Sequence, residues 1–209
     1  MIDEPALLDP PMEGALHEGR QLHLAIATPK GLHVTPTLYA LGPGRLWFFA
    51  ASATVKARQI ATGDRGGALV RAGARSVVVT GRLERLDLMA PNQLAGAARA
   101  VPGVPQAVLG YAARNAADLL GFALDTAAGR GGRGVPPRRI LISLVPDRVA
   151  LLDGDVLVEA RGAWPGSAGD ERRMRLGRPV ASGSQTPPVP SVLAWAGPDG
   201  PLALPAHWS

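Results

Sequence analysis

QLHLAIATPKGLHVTPTLYALGPGRLWFFAA (residues 21–51) is the stretch on which the fold turns. Two turns, Pro29-Lys30-Gly31 and Gly42-Pro43-Gly44, separate three apolar runs. Short apolar runs punctuated by Gly and Pro read as antiparallel strands. The stretch predicts strands near 21–28, 32–41 and 44–51, joined as a meander. Trp47, Phe48 and Phe49 are consecutive, so they alternate between faces. Trp47 and Phe49 share one face and Phe48 takes the other. Core packing explains these rings better than stacking on a ligand. The texture changes at SATVKARQIATG (52–63), which has a hydroxyl start, helix-tolerant residues and a closing glycine. It predicts a short helix capped by Ser52 or Thr54 and stopped at Gly63. GGALVRAG (66–73) and ARSVVVTGRLERLDLM (74–89) return to strand texture.

Outward from this centre the chain divides by composition. Residues 1–20 are acidic and proline-broken, and read as a poorly ordered arm without the features of a signal peptide. Residues 91–128 read as a helical insertion. A short helix is predicted near 92–100. A second carries Leu109, Ala112, Ala116, Leu119, Leu120, Ala123, Leu124 and Ala127 on one face, with Arg114, Asp118 and Asp125 opposite. RRILISLVPDRVALLDGDVLVEA (138–160) reads as strand, a turn at Pro146-Asp147, and strand, completing a main domain over 21–160. Residues 161–190 are rich in Gly, Pro and Ser and read as a linker. The last segment, 191–209, predicts a hairpin about Pro198-Asp199-Gly200. LAWAGPDGPLALPAHW (193–208) lies on LAIATPKGLHVTPTLY (24–39) without a gap, with identities at Leu24, Ala25, Ala27, Pro29, Gly31 and Pro36. Three placements are open for this hairpin: a second incomplete repeat, an edge addition to the first sheet, or a crossing to a partner subunit. Trp195 and Trp208 supply apolar area for its docking.

The composition narrows the chemistry. There is no cysteine, so thiolate chemistry and disulfides are excluded. The four histidines lack metal-ligand spacing, and no metal site is predicted. No apolar run is long enough to span a membrane, and a cytoplasmic protein is the expectation. Of 22 basic residues only Lys30 and Lys56 are lysines. The charge of +5 sits largely in GRGGRGVPPRR (129–139) and ERRMRLGR (171–178). Neither stretch interleaves aromatics for base stacking, which argues against a nucleic-acid partner. Gly-x-Ser-x-Gly is absent, and GRGGRG is not a phosphate-binding loop in context.

HLAIATPKGLHVTPTLYALGPGRLWFFAASATVKARQIA followed by VVVTGRLERLD resembles the pyridoxamine 5′-phosphate oxidase-like family. The resemblance covers roughly residues 20–90, with 138–160 as a further strand pair. It implies a mainly β fold, an FMN-binding type of split β-barrel, here with a helical insertion. It also implies a homodimer that holds FMN, or alternatively a deazaflavin coenzyme, and a flavin-dependent oxidoreductase acting on a small-molecule substrate. Carried over residue by residue, the phosphate would meet Ser52, Thr54, Lys56 and Arg58, and the isoalloxazine ring would border His33, Val34, Thr35 and Pro36. Phe49 and Ala50 stand where relatives commonly carry Thr or Ser, and Gln59 where they commonly carry Asn. Those three departures keep a second reading open, a binding module without catalysis. No catalytic residue is assignable.

Overall fold

The computed structural model describes residues 7–87, 104–117, 119–120, 139–164, 189–197 and 199–208. The elements run α1 (Pro10–Glu18), β1 (Gln21–Thr28), β2 (Gly31–Gly42), β3 (Arg45–Ala51), α2 (Val55–Gln59), β4 (Arg65–Ala72), β5 (Arg75–Asp87), α3 (Val104–Arg114), β6 (Arg139–Asp153), β7 (Val156–Gly162), β8 (Val189–Gly197) and β9 (Gly200–Trp208). Seven strands form one sheet in the order β3-β2-β1-β4-β5-β6-β7, and β3 also pairs with β6. Six strands thereby close into an antiparallel barrel. The opening meander is present, with no strand bound more than one residue from its expected place. The predicted helix near 92–100 and most of the 161–190 linker lie outside the described residues.

β6 differs from the sequence reading. It runs unbroken through Pro146, and the turn falls later, at Gly154-Asp155. The register shows why a proline is tolerated there. Residues 139–144 of β6 pair with β3, and residues 148–153 pair with β7. Pro146 stands between the two ladders, where no amide is required on that side.

The chain divides into two compact units. One comprises Met1–Pro36, Arg65–Gly81 and Pro146–Ser209. Its centre is Ala25, Leu69, Val78, Ala150, Leu152 and Ala203. β1 and β4 pair from Leu22↔Val70 to Ile26↔Gly66. The predicted arm is in part a helix. Asp9 caps α1 by accepting from the Met12 amide at 3.0 Å, and Pro10 begins the first turn. Met12, Ala15 and Leu16 follow i, i+3, i+4 spacing and are fully buried. Arg161 holds Asp9 at 2.9 Å, and Arg75 reaches both oxygens of Glu18.

The terminal hairpin belongs to this unit and packs on β1 and β4. Its turn glycine, Gly200, has φ +109°, the same value as Gly31 in the opening hairpin. Gly67 of β4 makes the docking possible. A Cβ there would stand 3.0 Å from Leu202 Cα and closer still to the Pro201 carbonyl oxygen. Charges fasten the turn. Arg65 donates to the Asp199 carbonyl and pairs with Asp147 at 2.6 Å, while Arg148 pairs with Asp199 at 3.3 Å. Trp195 does not supply the docking area, being 44% exposed. Ala203 is buried in the core of this unit, and Val192, Ala194, Leu202 and Leu204 pack beside it.

The other unit comprises Thr37–Asp64 and Arg82–Val145. Here β3 is the middle of three strands. Tyr39↔Phe48 marks its pairing with β2, and Phe49↔Leu141 its pairing with β6. Trp47 and Phe49 share a face, as their alternation predicts, and pack with Val104, Val108, Leu86 and Leu141. Of the predicted helix face, Ala123, Leu124 and Ala127 lie outside the described residues, and the described part is not the buried side. Leu109 is 71% exposed and Leu120 61%. The buried row is Val104, Tyr111 and Asn115, with Val108 half-buried between them, also at helical spacing. An aromatic and an amide outcompete leucine here because each has a specific partner. Tyr111 meets Phe49 edge-on, with centroids 4.6 Å apart. Asn115 donates to the carbonyls of Tyr39 and Tyr111.

Gly67→Val tests the close approach. The new side chain meets backbone rather than a flexible side-chain end. It lowers stability by about 1–3 kcal/mol, the overpacking range, in denaturant unfolding. Amide exchange in 189–208 accelerates with it. An unchanged midpoint and unchanged exchange would mean that the hairpin does not rest on β4.

Candidate functional site

The candidate site is built where β3 ends and α2 begins. The chain leaves β3 at Ala51, and the Thr54 amide donates to the Ala51 carbonyl at 2.9 Å. Of the two predicted caps, Thr54 is the one used. Its hydroxyl accepts from the Ala57 amide at 3.4 Å and donates to the Ala51 carbonyl at 2.7 Å. Both functions of that hydroxyl are therefore committed to the turn. Ser52 is half-buried, and its hydroxyl makes no hydrogen bond among the described residues.

The helix stops earlier than Gly63. Ile60 is the C-cap, in extended conformation, and Gly63 sits in a following turn with φ +97°. A residue not singled out from the sequence fixes this end. Arg85 of β5 donates to the carbonyls of Ala57 at 2.7 Å and Ile60 at 3.3 Å. A guanidinium is suited to the free carbonyls of a helix C-terminus. The loop is pinned further by Gly63 N–H to the Leu83 carbonyl, 2.8 Å, and Leu83 N–H to the Asp64 carbonyl, 2.7 Å. α2 is thus held at both ends.

Lys56 is what this frame presents. Its ammonium donates to the hydroxyl of Thr37 at 2.5 Å. Thr37 is buried in β2 and was not marked by the sequence reading. No carboxylate lies within 4.0 Å of the ammonium among the described residues. Burial pushes the pKa of Lys56 down, because low dielectric disfavours the charged form. A half-buried cation with a hydroxyl partner and no counter-ion is a donor set suited to an anion. Ser52 adds an uncommitted hydroxyl in the connecting turn.

The remaining predicted residues separate. Arg58 and Gln59 lie on α2 with exposed side chains. Ala50 is buried, and the Phe49 ring is engaged by Tyr111. His33, Val34, Thr35 and Pro36 lie on the part of β2 that belongs to the first unit. There Val34 packs on the Ala25 and Leu69 core, Thr35 donates to the Pro36 carbonyl at 3.3 Å, and Pro36 is exposed. Beside Lys56 in the second unit, Tyr39 is fully buried beneath the Arg114 guanidinium, 4.7 Å from the ring centroid. Burial outweighs that cation and pushes the Tyr39 hydroxyl up to about 12. Tyr39 is therefore a neutral phenol at physiological pH. Among the described residues no cluster of His, Asp and Glu could hold a metal, and no helix is long and apolar enough to cross a membrane.

The fold is that of the split barrel. No family model matches the chain, and no curated protein matches it. Solved structures do. One is a pyridoxamine 5′-phosphate oxidase-related, FMN-binding protein from Nostoc punctiforme, 18% identical over 70% of this chain and 85% of that one, TM-score 0.45. Another is an FAD-binding protein from Mesorhizobium loti, 20% identical over 69% of this chain and 94% of that one, TM-score 0.44. A third is a heme-binding protein from Mycobacterium smegmatis, 15% identical over 71% of this chain and 55% of that one, TM-score 0.48. The first carries the name of the family that residues 20–90 resemble.

Lys56→Met separates stability from binding. The folded-state pKa of Lys56 is below the unfolded value of 10.5. Between the two, the unfolded chain binds the proton and the folded one does not, so stability rises with pH across that window. The variant, without added ligand, melts no lower than wild type at neutral pH and lacks the alkaline rise. A clear loss of melting temperature at pH 7 would make Lys56 a structural residue.

Proposed function

We propose that the β3–α2 turn binds the phosphate of a flavin, with FMN as the ligand and a deazaflavin coenzyme as the alternative. The observation that carries this reading is the half-buried ammonium of Lys56, bonded to Thr37 and without a carboxylate partner among the described residues. A phosphate is the counter-ion that such a group lacks, and its oxygens can also accept from Ser52. Arg58 adds positive charge from the exposed face of α2. The family resemblance supplies the ring end, with His33, Val34, Thr35 and Pro36 as its neighbours. When bound, the flavin supplies hydride transfer with a small organic molecule. The protein's part is to hold the phosphate and to fix the turn through Thr54 and Arg85.

A second reading has its own observation. The Thr54 hydroxyl donates to Ala51, and Phe49 is packed against Tyr111. Both take polar or ring contacts away from a ligand. On that reading the barrel binds a ligand through Lys56 and runs no redox reaction.

Titration of the protein with FMN and with the deazaflavin, followed by the visible absorption band, tests the first reading. Lys56→Ala weakens affinity by about 1.5–3 kcal/mol, the cost of one charged hydrogen bond, or roughly ten- to 150-fold. The far-ultraviolet spectrum of the variant is unchanged. If wild type and variant bind both compounds equally, or neither compound at all, the phosphate assignment falls. Tight binding without reduction by any hydride donor favours the second reading.

A further inference from the structure

The polar groups around the β3–α2 turn divide into those already used and those left over, and the division has a sign. The Ala51 carbonyl accepts from the Thr54 amide at 2.9 Å and from the Thr54 hydroxyl at 2.7 Å. The Thr54 carbonyl accepts from the Arg58 amide, and the Lys56 carbonyl from the Ile60 amide. The carbonyls of Ala57 and Ile60 are taken by Arg85. What is left over is donors. An ammonium carries three N–H groups, and Thr37 is the one hydrogen-bond partner of Lys56 among the described residues. Thr37 is itself only 6% exposed. Its oxygen faces the ammonium, so its proton is turned away from the cation, and no acceptor for that proton occurs among the described residues. A hydroxyl held in this way is polarised toward donation. Ser52, half-buried in the same turn, adds a hydroxyl with no hydrogen bond among the described residues.

Such a set selects a ligand by what the ligand can accept. A donor left unanswered away from water costs free energy, so each one favours a ligand that brings it an oxygen. The donors here stand on three separate residues, Thr37 of β2, Ser52 of the turn and Lys56 of α2. A doubly ionised phosphate monoester presents three terminal oxygens, none of them protonated. A sulfate monoester presents the same three oxygens in the same tetrahedral shape, with one charge fewer. A phosphodiester presents two, and so does the inner phosphorus of a dinucleotide's diphosphate bridge. Its remaining oxygens carry carbon or phosphorus substituents and are poorer acceptors.

We infer that the turn recognises the three-oxygen end of an ester through hydrogen bonds donated by Lys56, Thr37 and Ser52, so that it takes an organic sulfate as well as an organic phosphate and rejects a phosphodiester. The inference rests on the reading that Lys56 holds an anion, and it makes Thr37 a ligand contact rather than only a support for the lysine. It does not require the flavin ring, because all three residues lie within the second unit.

NMR titration of the full chain, read at the amides of Ser52 to Ala57, compares phenyl phosphate, phenyl sulfate and methyl phenyl phosphate. The pH is about 8, well above the second ionisation of a phosphate ester. Phenyl sulfate and methyl phenyl phosphate then carry the same single charge and differ in their terminal oxygens. Phenyl phosphate and phenyl sulfate both give saturable shifts. The diester binds at least about fivefold more weakly than phenyl sulfate, the lower bound for a polar group left unsatisfied. Thr37→Val weakens both monoesters by roughly ten- to 150-fold, the range for a charged hydrogen bond, while Thr37→Ser keeps wild-type binding. The ester comparison is made on wild type, so it decides even where the valine variant fails to fold. The inference is overturned if phenyl sulfate binds no better than the diester, if a folded Thr37→Val binds as wild type does, or if no ester shifts these amides. Failure of the flavin reading looks different: the monoesters bind and FMN does not, and the donor set then stands without the flavin. FMN held through Lys56 with phenyl sulfate rejected leaves the flavin reading in place and overturns this one.

Discussion

The pairing of β3 with β6 is the constraint on which the rest of the structure depends. It closes the barrel between residues far apart in the chain, Phe49 with Leu141 and Ala51 with Arg139. It turns Trp47 and Phe49 to the face that α3 covers. It uses only the first part of β6, so the second part is free to pair with β7. The proline at the handover follows from this, as does the length of β6. The end of β3 is fixed by the same ladder, and α2 starts four residues beyond it. The position of Lys56 is thus set by barrel closure rather than by the short helix that carries it.

A five-residue helix has little stability of its own. α2 persists because its neighbours satisfy its ends: Thr54 at the start, Arg85 at the finish, and buried Ala57 between. Two of these are ordinary helix-capping chemistry and one is packing, and none needs a lysine at 56. Against that background the lysine is costly. Its charge is partly desolvated, and Thr37 is its one hydrogen-bond partner among the described residues. In a chain with 22 basic residues and two lysines, an ammonium is the rarer choice. It suits a point contact to an anion, where arginine would bring a wider planar fork. A local arrangement that works against stability within a well-satisfied frame is the pattern expected of a binding residue.

How much of this was legible in the sequence depends on which force decided each element. The meander was legible because its turns are written in Gly and Pro, and the alternation of Trp47, Phe48 and Phe49 follows from strand geometry alone. The terminal hairpin was legible for the same reason, since Gly31 and Gly200 adopt the same positive φ. α3 misled because a wheel counts hydrophobicity. Its buried face was decided by Tyr111 and Asn115, whose partners Phe49 and Tyr39 come from other strands. α1 was hidden because its stability comes from β4 and from Arg161, 152 residues away from Asp9. Pro146 read as a turn because local propensity cannot see a change of strand partner. At the site, Lys56 stood out by rarity, whereas Thr37 and Arg85 matter only through contacts that the fold creates.

The Asp9 cap gives this dependence a measurable form. Burial alone would push the Asp9 carboxyl up, but the Met12 amide, a side-chain hydrogen bond with Glu159 and the charge of Arg161 together hold it below the usual carboxylate range. The carboxylate therefore adds stability above its unfolded pKa, and that contribution is lost as the pH falls through the lowered folded value. Asp9→Ala removes both the cap and one partner of Arg161. The cap alone is worth about 0.5–2 kcal/mol, and the surface pair adds less than about 1. The variant should show that loss in unfolding at pH 7 and converge on wild type in acid, where the wild-type carboxyl is protonated. Protection of α1 amides from exchange falls in parallel, while β3 and α2, which are held by their own ladder and caps, keep theirs. If β3 and α2 lost protection to the same degree, the helix at the start of the chain would be supporting the whole barrel rather than resting on it.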